Sequence, residues 1–213
     1  MPATVIAGIE IPDTALVREA TTLVSAAADP VVFHHSCRVF LWGSVRGRNR
    51  GMSYDPELLY VGALFHDLGL TDAYARNDQR FELDGADAAR RFLLERGVPD
   101  VGARLVWEAI ALHTTPEIPW RMAPEIALVT AGVEVDVLGI GYEEISEEER
   151  AAVVAAHPRP GFKKDILQAF TRGIAPRPAT TFGNVKADVL ERYVPGYVRP
   201  NFVDTILNSA WPE

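Results

Sequence analysis

The sequence predicts an all-α fold, a helical bundle in one domain. Segments that read as helices begin repeatedly at an aspartate or serine, and good helix formers follow. Strand-like alternation over more than four residues occurs in one stretch, "ATVIAGIEIP" at 3–12, which we expect to be an extended lead-in segment. The sequence has no internal repeat and no linker that divides it, so these features favour a single domain over residues 1–213.

The first three helical segments have similar start and stop signals. Asp13, Asp29 and Asp55 are the expected N-caps, and a proline directly follows the second and the third of them. Gly43 and Gly69 stand at the expected ends, where a left-handed glycine commonly terminates a helix. The predicted segments are 12–27, 29–43 and 55–69.

Seven further segments extend the helical pattern towards the C-terminus. Ser146 and Glu149 fit a capping box at the start of one of them. The apolar residues of the last segment suit either the core or a partner chain, and we expect them to pack on the core. The predicted segments are 84–97, 99–114, 123–139, 146–157, 162–173, 184–194 and 201–210.

Composition limits the class of partner. The formal net charge of −8 argues against a nucleic-acid binder or a protein that docks on anionic membranes. The single cysteine, Cys37, excludes an internal disulfide, and the first residues do not resemble a secretory signal. No apolar run approaches the roughly 20 residues that span a bilayer. We therefore expect a cytoplasmic protein that acts on a small molecule, and the sequence leaves a homo-oligomer open.

Titratable residues interrupt four otherwise apolar helix faces. His35 does so on the second segment and His66 on the third, where Asp67 follows directly. His113 and Asp136 do so on the fifth and the sixth. An ionised carboxylate without a partner is costly to bury, so each must be neutralised, paired or bound to a cation. Together, the imidazoles and carboxylates indicate a mixed nitrogen and oxygen site for a divalent metal.

Each of these residues taken alone also fits a structural role. A histidine on an apolar face is commonly a hydrogen-bonded core residue, and a buried aspartate fits a helix cap or an ion pair with Arg38 or Arg104. His34 is a second candidate beside His35, although it lies about 100° away from the apolar face. The joint pattern favours the metal site over these alternatives.

Several motifs occur in an order that resembles the HD-domain superfamily, closest to its cyanamide-hydratase-like branch. They are "HHSCRVFLWG", "ALFHDLGLTD", "RFELDGADAARRFL", "VWEAIALHT", "VEVDVLG" and "PRPGFKK", spread over about residues 30–170. The resemblance implies a wholly helical fold with a metal-binding core in this range, on which the C-terminal helices pack. It further implies one divalent ion, with zinc expected and iron or manganese as alternatives. The implied metal ligands are His35, His66, Asp67 and Asp136.

The branch implies a metal-dependent hydrolase or lyase that hydrates a small nitrile such as cyanamide. A divalent ion with two carboxylate ligands is close to neutral, which suits an uncharged substrate. The expected catalytic residues are His113, Asp67, Glu82 and Asp72, and the expected substrate-binding residues are Arg38, His113, Phe81 and Trp107. Glu82 and Asp84 also fit a second role, as caps of the helix that follows them.

Two other functions stay open at this point. Phosphohydrolysis of a nucleotide or another phosphomonoester is common in the superfamily, and Arg38, Arg76 and Arg80 would supply the cationic groups that it needs. Nucleotidase-like members, however, carry a glutamate where this chain has Leu70. A non-catalytic metal-bearing module is the third reading, and the complete set of four implied ligands argues against it.

Overall fold

The computed structural model describes residues 4–76 and 78–211 and confirms the all-α class. Within these ranges, strand structure is confined to one antiparallel hairpin, β1 (Val5–Ile6) with β2 (Ile9–Glu10), which lies in the predicted lead-in segment. The helices are α1 Ala15–Ala27, α2 Pro30–Asn49, α3 Pro56–Phe65, α4 Phe81–Leu94, α5 Asp100–Leu112, α6 Pro124–Val133, α7 Glu147–Ala156, α8 Phe162–Ile174, α9 Lys186–Tyr193 and α10 Phe202–Leu207.

Side-chain caps fix several helix starts. The Asp55 carboxylate accepts the backbone N–H of Glu57 over 2.9 Å, which confirms its predicted role at α3. The capping box of Ser146 and Glu149 is also present. At α1 the prediction is wrong by one residue, because Thr14 is the cap and the preceding aspartate pairs with an arginine of the first helical turns.

Two glycines bring α2 and α6 into close contact. Helix α2 does not end near Gly43 but continues to Asn49. A Cβ at Gly43 would lie 2.4 Å from the Leu128 carbonyl oxygen, and one at Gly132 would lie 2.1 Å from the Val39 carbonyl oxygen. Each helix thus places a glycine against the backbone of the other. The missing side chains allow the polar residues of both helices to meet.

A similar contact, rather than a left-handed turn, explains Gly69. It lies in a short 3₁₀ turn, Leu68–Leu70, directly after the His66–Asp67 pair. A Cβ at this position would be 2.1 Å from the carbonyl oxygen of Phe81, the first residue of α4. The start of α4 is therefore held against the chain that carries the His-Asp pair.

Helix α6 ends in a wider π-helical turn, Glu134–Leu138, which stops at Gly139 with a φ of 72°. Such turns are frequent at functional sites because they change the direction in which side chains point. Asp136 is buried in this turn, whereas Ile140, which the straight helical pattern places on the same face, is 51% exposed. The apolar face of α6 therefore ends before Ile140.

The C-terminal helices differ in how they contact the rest of the chain. In α8, Phe162 and Ile166 pack against Val32 of α2, and Leu190 of α9 packs with Phe81. Every residue of α10 is exposed, so this helix does not pack on the core as expected. Among the described residues, no helix combines the length and apolar character needed to cross a membrane. The single-domain organisation over 1–213 stays a prediction.

Candidate metal centre

Four of the predicted site residues converge in the centre of the bundle. His35 comes from α2, His66 and Asp67 follow α3, and His113 follows α5; all four are buried. The Nε2 atom of His66 lies 3.2 Å from that of His35 and 3.3 Å from Asp67 Oδ2. Asp67 also lies 3.6 Å from the Nε2 atoms of both other histidines. Three imidazole nitrogens therefore face one carboxylate.

Backbone acceptors fix the protonation pattern of two of these rings. The Nδ1 atom of His66 donates to the Ala63 carbonyl over 2.7 Å, and that of His113 donates to the Ile110 carbonyl over 2.6 Å. A carbonyl only accepts, so each Nδ1 carries the hydrogen and the neutral ring keeps its lone pair on Nε2. Each ring leaves its helix with Nε2 oriented for binding a cation.

A carboxylate fixes the third ring in the same way. His35 Nδ1 donates to Asp136 Oδ2 over 2.7 Å, which leaves the lone pair of His35 on Nε2. Burial lowers the pKa of His35, although Asp136 opposes the shift. In a neutral pair, the lone pairs of His35 and His66 would face each other over 3.2 Å. That arrangement is repulsive unless a cation lies between them.

Asp67 shows the same need for a cation. Both of its carboxylate oxygens are buried, and among the described residues neither accepts a hydrogen bond. Burial raises the pKa of Asp67, but the charge that His66 carries when it is protonated lowers it well below its usual value, so the carboxylate is ionised. Asp67 in turn raises the pKa of His66 although burial lowers it, which again marks this point as one that favours a proton or a metal ion.

The donor set fits a divalent metal. The candidate ligand atoms of His35, His66 and Asp67 all lie within 4.8 Å of one another. Two imidazoles and one carboxylate are a ligand set used by catalytic zinc and by non-haem iron, and such sites keep a position open for water or substrate. These three residues are therefore the ones that could hold the expected ion.

Asp136 reaches the site, but its oxygens contact protein donors. Arg38 donates to both of them, from Nε and Nη2 over 2.8 Å each, and Trp42 Nε1 donates to Oδ1 over 2.9 Å. With the bond from His35, every donor around this carboxylate is a protein group. Burial raises the pKa of Asp136, but the bonds from His35 and Arg38 bring it well below its usual value.

Arg38 was predicted to bind substrate, but in the structure it binds Asp136. Its guanidinium is 1% exposed, and its remaining nitrogen, Nη1, donates to the carbonyls of His157 and Pro158. The spacing of His35, Arg38 and Trp42 places all three on one face of α2. The shared face is a sequence signal that all three contact the same partner, Asp136. Trp42 was not predicted to contact it.

A second polar group lies on the His113 side of the site. The ring centroid of Phe81 is 5.6 Å from that of His113, and its neighbour Glu82 accepts a hydrogen bond from Thr114 Oγ1 over 2.5 Å. Glu82 also forms a buried ion pair with Lys186 of α9. Lys186 is not among the predicted site residues. The one sequence signal for its burial is its position four residues before the buried Leu190 on a short amphipathic helix.

Two predicted site residues lie elsewhere, and the helix-cap alternative also fails. Asp72 is exposed, because the chain leaves the core directly after the 3₁₀ turn. Trp107 is half-buried and donates from Nε1 to Asp87 on α4 over 2.8 Å, so it points away from His113. Glu82 and Asp84 lie inside the first turn of α4 and do not cap it.

The fold and the buried centre define a helical protein with a candidate metal-binding site of imidazoles and a carboxylate. Comparison with known families gives the particular family: the HD domain matches residues 32–161, more than half of the chain. The chain belongs to the HD domain family, whose members are generally metal-dependent hydrolases. No curated protein matched the chain. The findings thus support the superfamily and leave the cyanamide-hydratase-like branch as a resemblance of sequence motifs.

Proposed function

We propose that this HD domain protein uses a divalent metal to add water to a small uncharged substrate, a nitrile such as cyanamide. His35, His66 and Asp67 would hold the ion, which we expect to be zinc, with iron or manganese as alternatives. A divalent ion bound there polarises an electrophile and lowers the pKa of a bound water molecule towards neutrality. Asp136 would orient His35 through its Nδ1 hydrogen.

The pairing of the buried charges is the observation that carries the choice of substrate class. Three buried cations are described around the site, and each already contacts a buried carboxylate. The pairs are Arg38–Asp136, Lys186–Glu82 and Arg177–Asp84. The partly exposed Arg159 also lies at the cavity beside Phe162, where its Nη2 donates to the Asp136 backbone carbonyl over 2.8 Å. Phosphoryl transfer needs cationic groups that are available to the substrate oxygens. An uncharged substrate needs none, so the charge arrangement favours it over a phosphate ester.

The burial of the candidate ligands also favours a small uncharged substrate. His35, His66 and Asp67 are each 0% exposed. The ring of Phe162 lies 5.3 Å from that of His35 and also lines a surface cavity of about 310 Å³, together with His34 and Arg38. A substrate that enters from this cavity must displace the Phe162 ring to reach His35, which suits a molecule of a few heavy atoms better than a nucleotide.

We assign the proton transfers to His113. Its Nε2 lone pair lies 3.6 Å from Asp67 Oδ1, and its Nδ1 hydrogen is held by Ile110. Hydration of a nitrile forms a C–O bond at carbon and places the two protons of water on the product, which rearranges to the amide. His113 would accept a proton from the attacking water on its Nε2 lone pair and return it to the nitrogen as a general acid.

The test combines metal analysis with two substrate panels. The purified protein should contain about one divalent ion per chain and hydrate cyanamide or a simple nitrile. His66→Ala should lose both properties, whereas Asp72→Asn, at an exposed position, should keep both. Turnover of nucleoside monophosphates alone would replace the proposal with a phosphohydrolase. A bound metal without turnover in either panel would indicate a binding module instead.

A further inference from the structure

Glu82 is a buried carboxylate whose two oxygens have different surroundings. Oε1 accepts hydrogen bonds from Lys186 Nζ and from Thr114 Oγ1. Oε2 is buried and, among the described residues, has no hydrogen-bond partner. The side chain as a whole is 1% exposed. An orphaned oxygen of this kind is costly to bury, which points to a hydrogen-bond donor that the protein does not itself supply.

The position of Glu82 relates it to the candidate metal centre. Two consecutive residues at the start of α4 meet two consecutive residues at the end of α5: Phe81 faces His113, and Glu82 binds Thr114. Glu82 therefore lies beside the end of α5, on the His113 side of the centre. Burial raises the pKa of Glu82, but the charge of Lys186 and the hydrogen bonds from Lys186 and Thr114 bring it below its usual value. The carboxylate is thus an ionised acceptor.

The position of the Glu82 carboxylate depends on Lys186, which lies on a helix outside the residues that match the HD domain family. It begins α9, beyond residues 32–161, and is 2% exposed. Its Nζ atom also lies 5.3 Å from the ring centroid of Phe81. Lys186 and Thr114 together hold one oxygen of Glu82, so the orientation of the other oxygen is fixed by a residue of α9 and by a residue of the turn that follows α5.

We propose that Lys186 and Thr114 are positioning residues that hold Glu82 so that its Oε2 accepts an N–H of the substrate or product. The proposal rests on the proposed function and narrows its substrate class to nitriles that carry an amino group and to the amides formed from them. A site with a buried acceptor rejects analogues that lack the donor, because the acceptor is then left desolvated and unpaired. Alkyl nitriles should therefore be poorer substrates than cyanamide.

The test uses two probes of similar size, acetamide, which carries N–H groups, and acetone, which does not. Their binding to the zinc-loaded full-length protein is measured by ligand-observed NMR titration. Lys186→Met and Thr114→Val should each weaken acetamide binding by about tenfold or more and leave acetone binding unchanged. Lys186→Arg should retain part of the preference for acetamide, and Asp72→Asn should retain all of it.

If the protein turns over cyanamide, steady-state kinetics give a second measurement of the role of Lys186. Lys186→Met should raise KM for cyanamide more than it changes kcat, and it should have little effect on KM for acetonitrile. If Lys186 had only a structural role, the substitution would change KM for cyanamide and for acetonitrile alike. Thr114→Val removes one hydrogen bond and no charge, so it keeps the test valid if Lys186→Met does not fold.

The two proposals fail in different ways. A wild-type protein that hydrates no nitrile defeats the proposed function, while the acetamide preference and its loss in the variants still support the role of Lys186. Folded variants with one zinc ion and unchanged acetamide binding overturn the positioning role, whatever reaction the protein catalyses. Equal binding of acetamide and acetone by the wild type overturns it as well.

Discussion

His35 Nδ1 and Asp136 Oδ2 form a 2.7 Å hydrogen bond in the middle of the bundle, and this bond turns His35 Nε2 towards His66. Asp136 is in turn held by two bonds from Arg38 and one from Trp42. A carboxylate behind a metal-binding histidine fixes the tautomer and the orientation of the ring. The two aspartates therefore differ in their surroundings: Asp67 faces three imidazoles, whereas Asp136 accepts hydrogen bonds from His35, Arg38 and Trp42. We propose that Asp67 is a metal ligand and that Asp136 supports one.

The first prediction concerns metal affinity. Asp67→Asn should abolish stoichiometric zinc binding, because it removes the charged ligand atom. Asp136→Asn should weaken binding by about 10–100-fold and still allow one ion per chain, as is typical when a supporting group is lost. Competition with a chelating dye measures both. Equal loss of metal in the two variants, with both folded by circular dichroism, would show that Asp136 is itself a ligand.

The fold class and the site neighbourhood could be predicted from sequence, because both depend on local pattern. The apolar face that His35 interrupts is real, and so is the one that ends at His113. The partners of a buried side chain could not be predicted. Glu82 and Lys186 are 104 residues apart, and no periodicity relates them. The predicted end of α2 near Gly43 was wrong for a related reason, because a glycine that ends a helix and a glycine at a helix crossing look the same in sequence.

The second prediction tests the crossing of α2 and α6. Gly132→Ala would place a Cβ 2.1 Å from the Val39 carbonyl oxygen, so the helices must separate. We expect a loss of about 1–3 kcal/mol in unfolding free energy, typical of overpacking, and weaker zinc binding because His35 moves relative to its support. Gly102→Ala on α5 is the matched control, since its nearest contact is 3.3 Å from a valine methyl group. Denaturant unfolding and zinc titration measure both effects; equal behaviour of the two variants would contradict the prediction.

The third prediction concerns pH and the Glu82–Lys186 pair. Burial is the largest single effect and raises the pKa of Glu82, but the charge of Lys186 and the hydrogen bonds to the carboxylate together lower it further, so the folded-state pKa lies below the usual 4.5. A depressed carboxyl pKa stabilises the fold above the unfolded pKa, and this stabilisation is lost as pH falls through the folded pKa. Wild type should therefore exceed Glu82→Gln in unfolding free energy near neutral pH, and the gap should narrow below about pH 4.5. Denaturant unfolding across this range checks it; a gap that is constant with pH would show that Glu82 is not ionised.

The last prediction concerns metal removal and follows from the orphaned oxygens of Asp67. In zinc-loaded protein the wild type should be more stable than Asp67→Asn, since a ligand at a thousandfold excess over its Kd contributes about 4 kcal/mol. In chelator-treated protein at about pH 8 the order should reverse. There the wild type buries a carboxylate that, among the described residues, accepts no hydrogen bond, whereas an asparagine amide can donate to the Nε2 lone pair of His66.

Melting temperatures of both proteins with and without chelator measure this reversal, and Asp72→Asn should follow the wild type in each condition because its side chain is exposed. If Asp67→Asn is the less stable protein in both conditions, protein groups already satisfy the carboxylate. The reason for placing a cation between His35, His66 and Asp67 would then be lost, because that reason is the cost of burying this charge and two facing lone pairs without one.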